Sequence, residues 1–202
     1  MFVKVCGLRT AADVDVAVSA GADAVGFVFT DSVRQVSVDE ARELAAGVPE
    51  HVLTVGVFRG VPASRAGELA LAAGIDVVQL HGDYPRAAFD EVRDLPVQLI
   101  RATSLTAGTE LRTGAWGEDM LLLDSPVAGS GERWDLSTLD SARPVGHWIL
   151  AGGLSPDNVA DAAAAARPWG VDVSSGVESS RGVKDPGLIR EFLEQARRLP
   201  TA

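Results

Sequence analysis

Apolar residues along this chain fall in short, near-continuous runs of strand length, separated by stretches with helical spacing. Eight runs stand out: FVKVC (2–6), AVGFVF (24–29), LTVGVF (53–58), IDVVQL (75–80), VQLIRA (97–102), MLLLD (120–124), HWILA (147–151) and GVDVSS (170–175). Most of the intervals place apolar residues three and four apart, as in DVDVAVSAGA, DEARELAAG, SRAGELALAAG, PDNVADAAAAARP and GLIREFLEQARRL. Continuous Val/Ile/Leu runs belong to strands buried on both faces, the condition of a parallel sheet covered by helices. Eight such units predict an α/β chain closed into a (β/α)8 TIM barrel, one domain over residues 1–202. The competing open, doubly wound sheet calls for a dinucleotide fingerprint after the first strand, and the turn CGLRT has no G-x-G-x-x-G. Two intervals carry a weaker helical pattern: TAGTELRTGAWG after the fifth run, and the segment after Asp124, which reads more as loop.

Composition narrows the partners. With 47% hydrophobic residues in 202, the chain can fill a core without disulfides, and its single cysteine excludes an intramolecular one. The apolar start is interrupted by Lys4 and Arg9, unlike a signal peptide, and no run approaches the roughly 18 apolar residues of a membrane span. A cytoplasmic protein without membrane contact is expected. The formal net charge of −10, with basic residues scattered, argues against a nucleic-acid partner. It also opposes small anions, so a phosphate site here has to use backbone dipoles and a few placed cations.

In such a barrel, reacting groups project from the C-terminal ends of strands. That rule selects Cys6, the TDSVR segment ending in Arg34, His81, Arg101, Asp124, the pair Gly152 and Gly153, and the stretch from Asp172 to Gly176. The loops AGGLSPDN and SSG, after the seventh and eighth runs, offer backbone N–H groups where barrels of this kind hold a phosphate. Ser155 followed by Pro156 reads as N-cap and first helical residue beside them. Ordinary strand-to-helix turns have the same composition, and it is the pairing of the two loops that favours an anion. Cys6 taken alone reads as an inert buried hydrophobe; at a strand end it can instead serve as a base if a cation favours its thiolate. Asp124 ends an apolar strand, where a carboxyl with a raised pKa suits a general acid, although a loop or N-cap carboxylate has the same look. Arg34 can grip a carboxylate with its planar fork, and His81 is a ligand contact or a core histidine. His51 and His147 sit at the opposite, stabilising end. A metal is not expected: there is one thiol and no HEXXH.

The blocks VKVCGLRT, GADAVGFVF, SVRQVS, VGVF, VQLHG, LLLDS with AGSGERWD, ILAGGLSPDNV and VDVSSGVESSRGVKD resemble the phosphoribosylanthranilate isomerase family, from Val3 to about Phe192. The resemblance implies an Amadori rearrangement of N-(5′-phosphoribosyl)anthranilate in tryptophan biosynthesis, on a small phosphorylated substrate, without cofactor or metal, by a monomer or homodimer. It implies Cys6 as general base and Asp124 as general acid, Arg34 for the anthranilate carboxylate, and Asp172 for a sugar hydroxyl. His81 joins the substrate contacts, and the phosphate falls to backbone around Gly152, Gly153, Ser174, Ser175 and Gly176. Two loops depart from the family pattern. TDSVRQVSV is shorter and lacks the usual prolines and tyrosine, and AGSGERWD has Ala128 and Trp134 where the family has Gly and Phe. The alternatives are the related aminoaldose isomerase of histidine biosynthesis, which has a carboxylate in place of Cys6, a bifunctional form, or a non-catalytic phosphate-ligand-binding barrel.

Overall fold

The computed structural model describes residues 1–106, 108–125, 139 and 143–198. Eight parallel strands close into a barrel in sequence order: β1 (Phe2–Cys6), β2 (Ala24–Val28), β3 (Leu53–Phe58), β4 (Val77–His81), β5 (Gln98–Ser104), β6 (Met120–Asp124), β7 (Trp148–Leu150) and β8 (Gly170–Val173). β8 pairs back onto β1, with Lys4 opposite Asp172. Helices α1 (Ala11–Ser19), α2 (Val38–Ala46), α3 (Ala63–Ala73), α4 (Arg86–Asp90), α5 (Val159–Ala166) and α6 (Pro186–Arg197) lie outside the ring. All eight sequence-predicted strands form. No helix joins β5 to β6 among the described residues, as the Gly/Thr-rich TAGTELRTGAWG foreshadows. Ala128 and Trp134, with the rest of the AGSGERWD loop, lie outside the described residues.

Successive side chains of a strand point to opposite faces, so each apolar run feeds two cores. Inward residues, among them Val55, Val77, Ile100, Met120, Leu122 and Ile149, fill the barrel; outward ones such as Val5, Phe27, Val78, Leu121 and Val171 pack beneath the helices. Each fully buried aliphatic or aromatic side chain contributes about 1.5–3 kcal/mol.

At the N-terminal rim one device recurs. Asp23, Asp76 and Asp119, each just ahead of an even-numbered strand, accept the N–H of Val3, Thr54 and Leu99 on the preceding strand at 2.7, 2.8 and 2.7 Å. The aspartates thus satisfy strand-start donors that the ladder leaves open and hold register at that rim. It also explains why β4 starts at Val77 and not at Ile75: Asp76 is turned toward Thr54. His147 stacks on Trp169 at this same end, 4.5 Å between ring centroids, in keeping with a structural role.

β8 stops at Val173, two residues before the end of the GVDVSS run. Ser174 leaves the extended region (φ −132°, ψ −83°), and a single 3-10 turn follows over Ser175–Val177. After it comes a small antiparallel hairpin of β9 (Glu178–Ser180) and β10 (Val183–Lys184), which the sequence pattern does not announce. No described helix is long and apolar enough to cross a membrane.

Candidate active site

At the C-terminal end of the barrel opens a cavity of about 370 Å³. Nine of the ten sequence-predicted site residues line it: Cys6, Arg34, His81, Asp124, Gly152, Gly153, Asp172, Ser174 and Ser175. Gly176 does not. A Cβ at Gly176 would run into the carbonyl of Leu154, so this glycine lets the loop after β8 close against the loop after β7. Arg101, which the strand-end rule also selected, faces outward: it bonds Glu118 at 2.7 Å and lies 4.6 Å over the Trp116 ring. Strand alternation is the reason, since on β5 the inward positions are Ile100 and Ala102.

Cys6 ends β1 and lines the cavity, and two residues earlier on the same face stands Lys4, fully buried. Lys4 Nζ lies 2.9 Å from Asp172 Oδ1 across the β1–β8 pair, and its charge acts on Cys6, two residues along the same strand. Burial works against the charge on Lys4, yet Asp172 and Cys6 together push it up to about 12. Burial pushes the Cys6 thiol up, opposed chiefly by Lys4, and pushes Asp172 up against the pull of Lys4. The 2.9 Å contact and the high Lys4 value favour the ionised pair.

Asp124 closes β6 inside an almost wholly apolar strand. Desolvation raises its carboxyl, with the Ser125 N–H at 2.7 Å acting in the opposite sense. His81 Nε2 lies 3.6 Å from Asp124 Oδ2. Burial and the nearby Arg59 lower His81 to about 4, so at neutral pH it is a neutral imidazole. Gln79, two residues back on the same face of β4, contacts His81 Nδ1 at 3.3 Å. Its Oε1 is the one buried side-chain acceptor without a partner among the described residues.

Arg34 reaches the cavity from the loop after β2, and its orientation is set from the far side of the sequence. Its Nε and Nη2 donate to the two oxygens of Glu178 at 2.6 and 2.9 Å, leaving the other edge of the guanidinium for a ligand. Glu178 also accepts from Gly182 N and Lys184 Nζ, both at 2.9 Å. Burial alone would raise this carboxyl; the donors hold it at about 2. Arg59 and Arg181 also line the cavity mouth, giving local positive potential to a chain whose net charge is −10.

The loops after β7 and β8 meet beside the cavity, and the local structure of the first needs one correction. Gly152 and Gly153 have φ of +86° and +67°, and a side chain at Gly152 would collide with the backbone of Ser125. The helix beyond them is α5, and its N-cap is Asn158, not Ser155. The Asn158 side chain bonds Ser155 N and Gly153 O, both at 2.8 Å, and so ties the turn that begins at Ser155 back onto the glycine loop. Proline at position 156 opens that turn, and the regular helix follows three residues later. The 3-10 turn at Ser175 brings further N–H groups that lack partners within the turn itself.

Lys4, Gln79, Glu178 and Lys184 were missed by the strand-end rule. Lys4 and Gln79 carried a usable signal: each is a polar residue in an apolar run, two positions before a selected residue and hence on its face. Glu178 and Lys184 stand in the block VDVSSGVESSRGVKD but are not marked by strand spacing, because the meeting of Glu178 with Arg34 and Lys184 depends on the hairpin.

A closed parallel barrel with a buried thiol, a desolvated carboxyl, arginines and a glycine cradle around one cavity defines an acid–base barrel enzyme for a small anionic substrate. The family model for N-(5′-phosphoribosyl)anthranilate (PRA) isomerase matches residues 3–195. The N-(5′-phosphoribosyl)anthranilate isomerase of Streptococcus mutans is 42% identical over 196 residues, covering 97% of this chain and 98% of its own. Among solved structures, TrpF from Jonesia denitrificans superposes with a TM-score of 0.90 at 47% identity, covering 98% of this chain and 97% of that one. A phosphoribosyl anthranilate isomerase solved with reduced 1-(o-carboxyphenylamino)-1-deoxyribulose 5-phosphate gives a TM-score of 0.83 at 32% identity, covering 98% of this chain and 100% of that one. The chain belongs to the N-(5′-phosphoribosyl)anthranilate isomerase family.

Proposed function

We propose that this chain, residues 1–202 acting as one catalytic domain, converts N-(5′-phosphoribosyl)anthranilate to 1-(2-carboxyphenylamino)-1-deoxyribulose 5-phosphate in the cytoplasm, as a monomer or homodimer. The observation that carries the assignment is the arrangement around one cavity. Cys6 on β1 and Asp124 on β6 are separated around the ring by β7 and β8, whose loops form the glycine and serine cradle between them. A phosphate held there by backbone N–H groups sets the ribose between thiol and carboxyl.

In this reading protonated Asp124 donates to the furanose ring oxygen, and the ring opens to a Schiff base. The Cys6 thiolate then removes the proton on C2′, giving an enolamine that tautomerises to the ketone. The rearrangement moves hydrogen within one molecule, so it needs no metal and no redox cofactor. Neutral His81 and the unpaired Gln79 Oε1 meet the sugar hydroxyls, and Asp172 takes another. The free edge of Arg34 takes the anthranilate carboxylate. Glu178 has already fixed that guanidinium, so little side-chain entropy is lost on binding.

The test is turnover. Freshly prepared phosphoribosylanthranilate should lose its fluorescence at a rate proportional to enzyme, and no rate above background overturns the reading. Cys6→Ser and Asp124→Asn should each lower kcat by at least about a hundredfold, the scale of a general base or acid.

A further inference from the structure

We propose that Lys4 is a positioning residue that holds the Cys6 thiolate by charge, and that Asp172 sets how strongly it does so. The inference rests on the reading of Cys6 as the base and explains how a buried thiol fills that role.

A thiol at the end of a buried strand is in poor surroundings for a base, because desolvation disfavours its charged form. A cation beside it offsets part of that cost only if it stays charged when buried. Lys4 meets that condition. It is on the same strand and face as Cys6, has no exposed surface, and donates to Asp172 Oδ1 at 2.9 Å. β-Pairing puts Lys4 directly opposite Asp172, so the contact is set by the ladder and not by a mobile side chain. On its other side Cys6 is boxed in by Gly26, its register partner on β2, where an added Cβ would lie 2.8 Å from Sγ. The glycine makes room for the sulfur.

Other charges face the thiol, and the two cations among them share one carboxylate. Lys184 on β10 is paired with Glu178 at 2.9 Å, and Arg34 beyond β2 is paired with the same carboxylate at 2.6 Å. Asp172 on β8 faces it as an anion. Lys4 is therefore the cation shared between a carboxylate and the sulfur. Two opposite effects follow: removing Lys4 makes the thiolate harder to form, whereas removing the charge on Asp172 frees Lys4 to stabilise sulfur and makes it easier.

Cys6 is the only cysteine in the chain, so alkylation by iodoacetamide reports it alone. The pH midpoint of the alkylation rate, measured without substrate, follows thiolate formation independently of how easily the reagent enters. Lys4→Met should raise that midpoint by at least about one unit and slow alkylation at pH 7.5 by about tenfold. Asp172→Asn should lower the midpoint. Lys4→Met leaves a buried carboxylate unpaired and can fail to fold, so Lys4→Met/Asp172→Asn, which removes both charges together, is the deciding variant. It should slow alkylation at pH 7.5 by at least about threefold. An unmoved midpoint in the double variant, or a raised one in Asp172→Asn, overturns the proposal. Neither result bears on whether Cys6 is the base, because that is decided by turnover of Cys6→Ser.

Discussion

Replacing Glu178 by Gln tests whether the hairpin after β8 is what holds Arg34 ready. The carboxylate accepts four donors, from Arg34 Nε, Arg34 Nη2, Gly182 N and Lys184 Nζ, all within 2.6–2.9 Å. Its side chain is 4% exposed, those of Arg34 and Lys184 12% and 1%. Glutamine preserves the shape but puts an NH2 group among donors and leaves two buried cations without a counter-ion. Removing one partner of a buried pair costs about 3–5 kcal/mol. At roughly 2–4 °C per kcal/mol for a domain of this size, Tm should fall on the order of 10 °C. Urea and thermal melts at pH 7 give the number. The effect also has a pH signature. The donors depress the Glu178 carboxyl from 4.5 to about 2, so the contribution is complete above pH 4.5 and is lost as pH falls through 2. The gap between wild type and Glu178→Gln should therefore narrow as pH is lowered from 5 toward 3. In turnover, KM should rise more than kcat falls, since Arg34 loses its orientation. A loss below about 1 kcal/mol at pH 7, or a gap that stays constant down the acid limb, would mean that the Glu178 charge does not hold Arg34.

Further outcomes follow from the same geometry. Asp119→Ala strips the Leu99 N–H of its acceptor at the stabilising rim, and should cost about 1–3 kcal/mol in urea melts while kcat stays at the wild-type value. Gly176→Ala drives a methyl into the Leu154 carbonyl and should cost about 1–3 kcal/mol and raise KM, because the two cradle loops are forced apart. The rate in wild type should fall on both sides of an optimum, since it needs a protonated Asp124 and an ionised Cys6, both pushed up by burial. In Asp124→Asn the residual rate should instead keep climbing to a plateau at high pH; a persisting alkaline decline would assign that limb to another group.

The local pattern carried much of this protein. Runs such as LTVGVF and MLLLD, buried on both faces, call for a parallel sheet under helices, and eight of them close a ring. Once the ring is accepted, the strand-end rule reaches Cys6, His81, Asp124 and Asp172, because chain direction alone decides which end of each strand faces the mouth. The same rule admitted Arg101, whose parity on β5 turns it outward, and passed over Lys4 and Gln79, whose parity turns them in. Those three were readable, since alternation along a strand is a local property.

Other features were not. Ser155 has the sequence of an N-cap, but the side chain of Asn158 bonds the glycine loop and moves the start of α5. Glu178 lies 144 residues from Arg34, and nothing in SVRQVS or GVESS says that they meet. Arg34 read as a free carboxylate grip becomes, in the folded chain, a guanidinium with one edge already engaged. The barrel, the end at which its mouth opens and most of the residues lining it are legible along the chain, because burial period and strand direction are written locally. The charge state of those residues is set by folding. Whether a thiol or carboxyl is ionised depends on desolvation and on counter-ions such as Lys4, Asp172 and Glu178, which closing the barrel brings to within 3 Å of their partners.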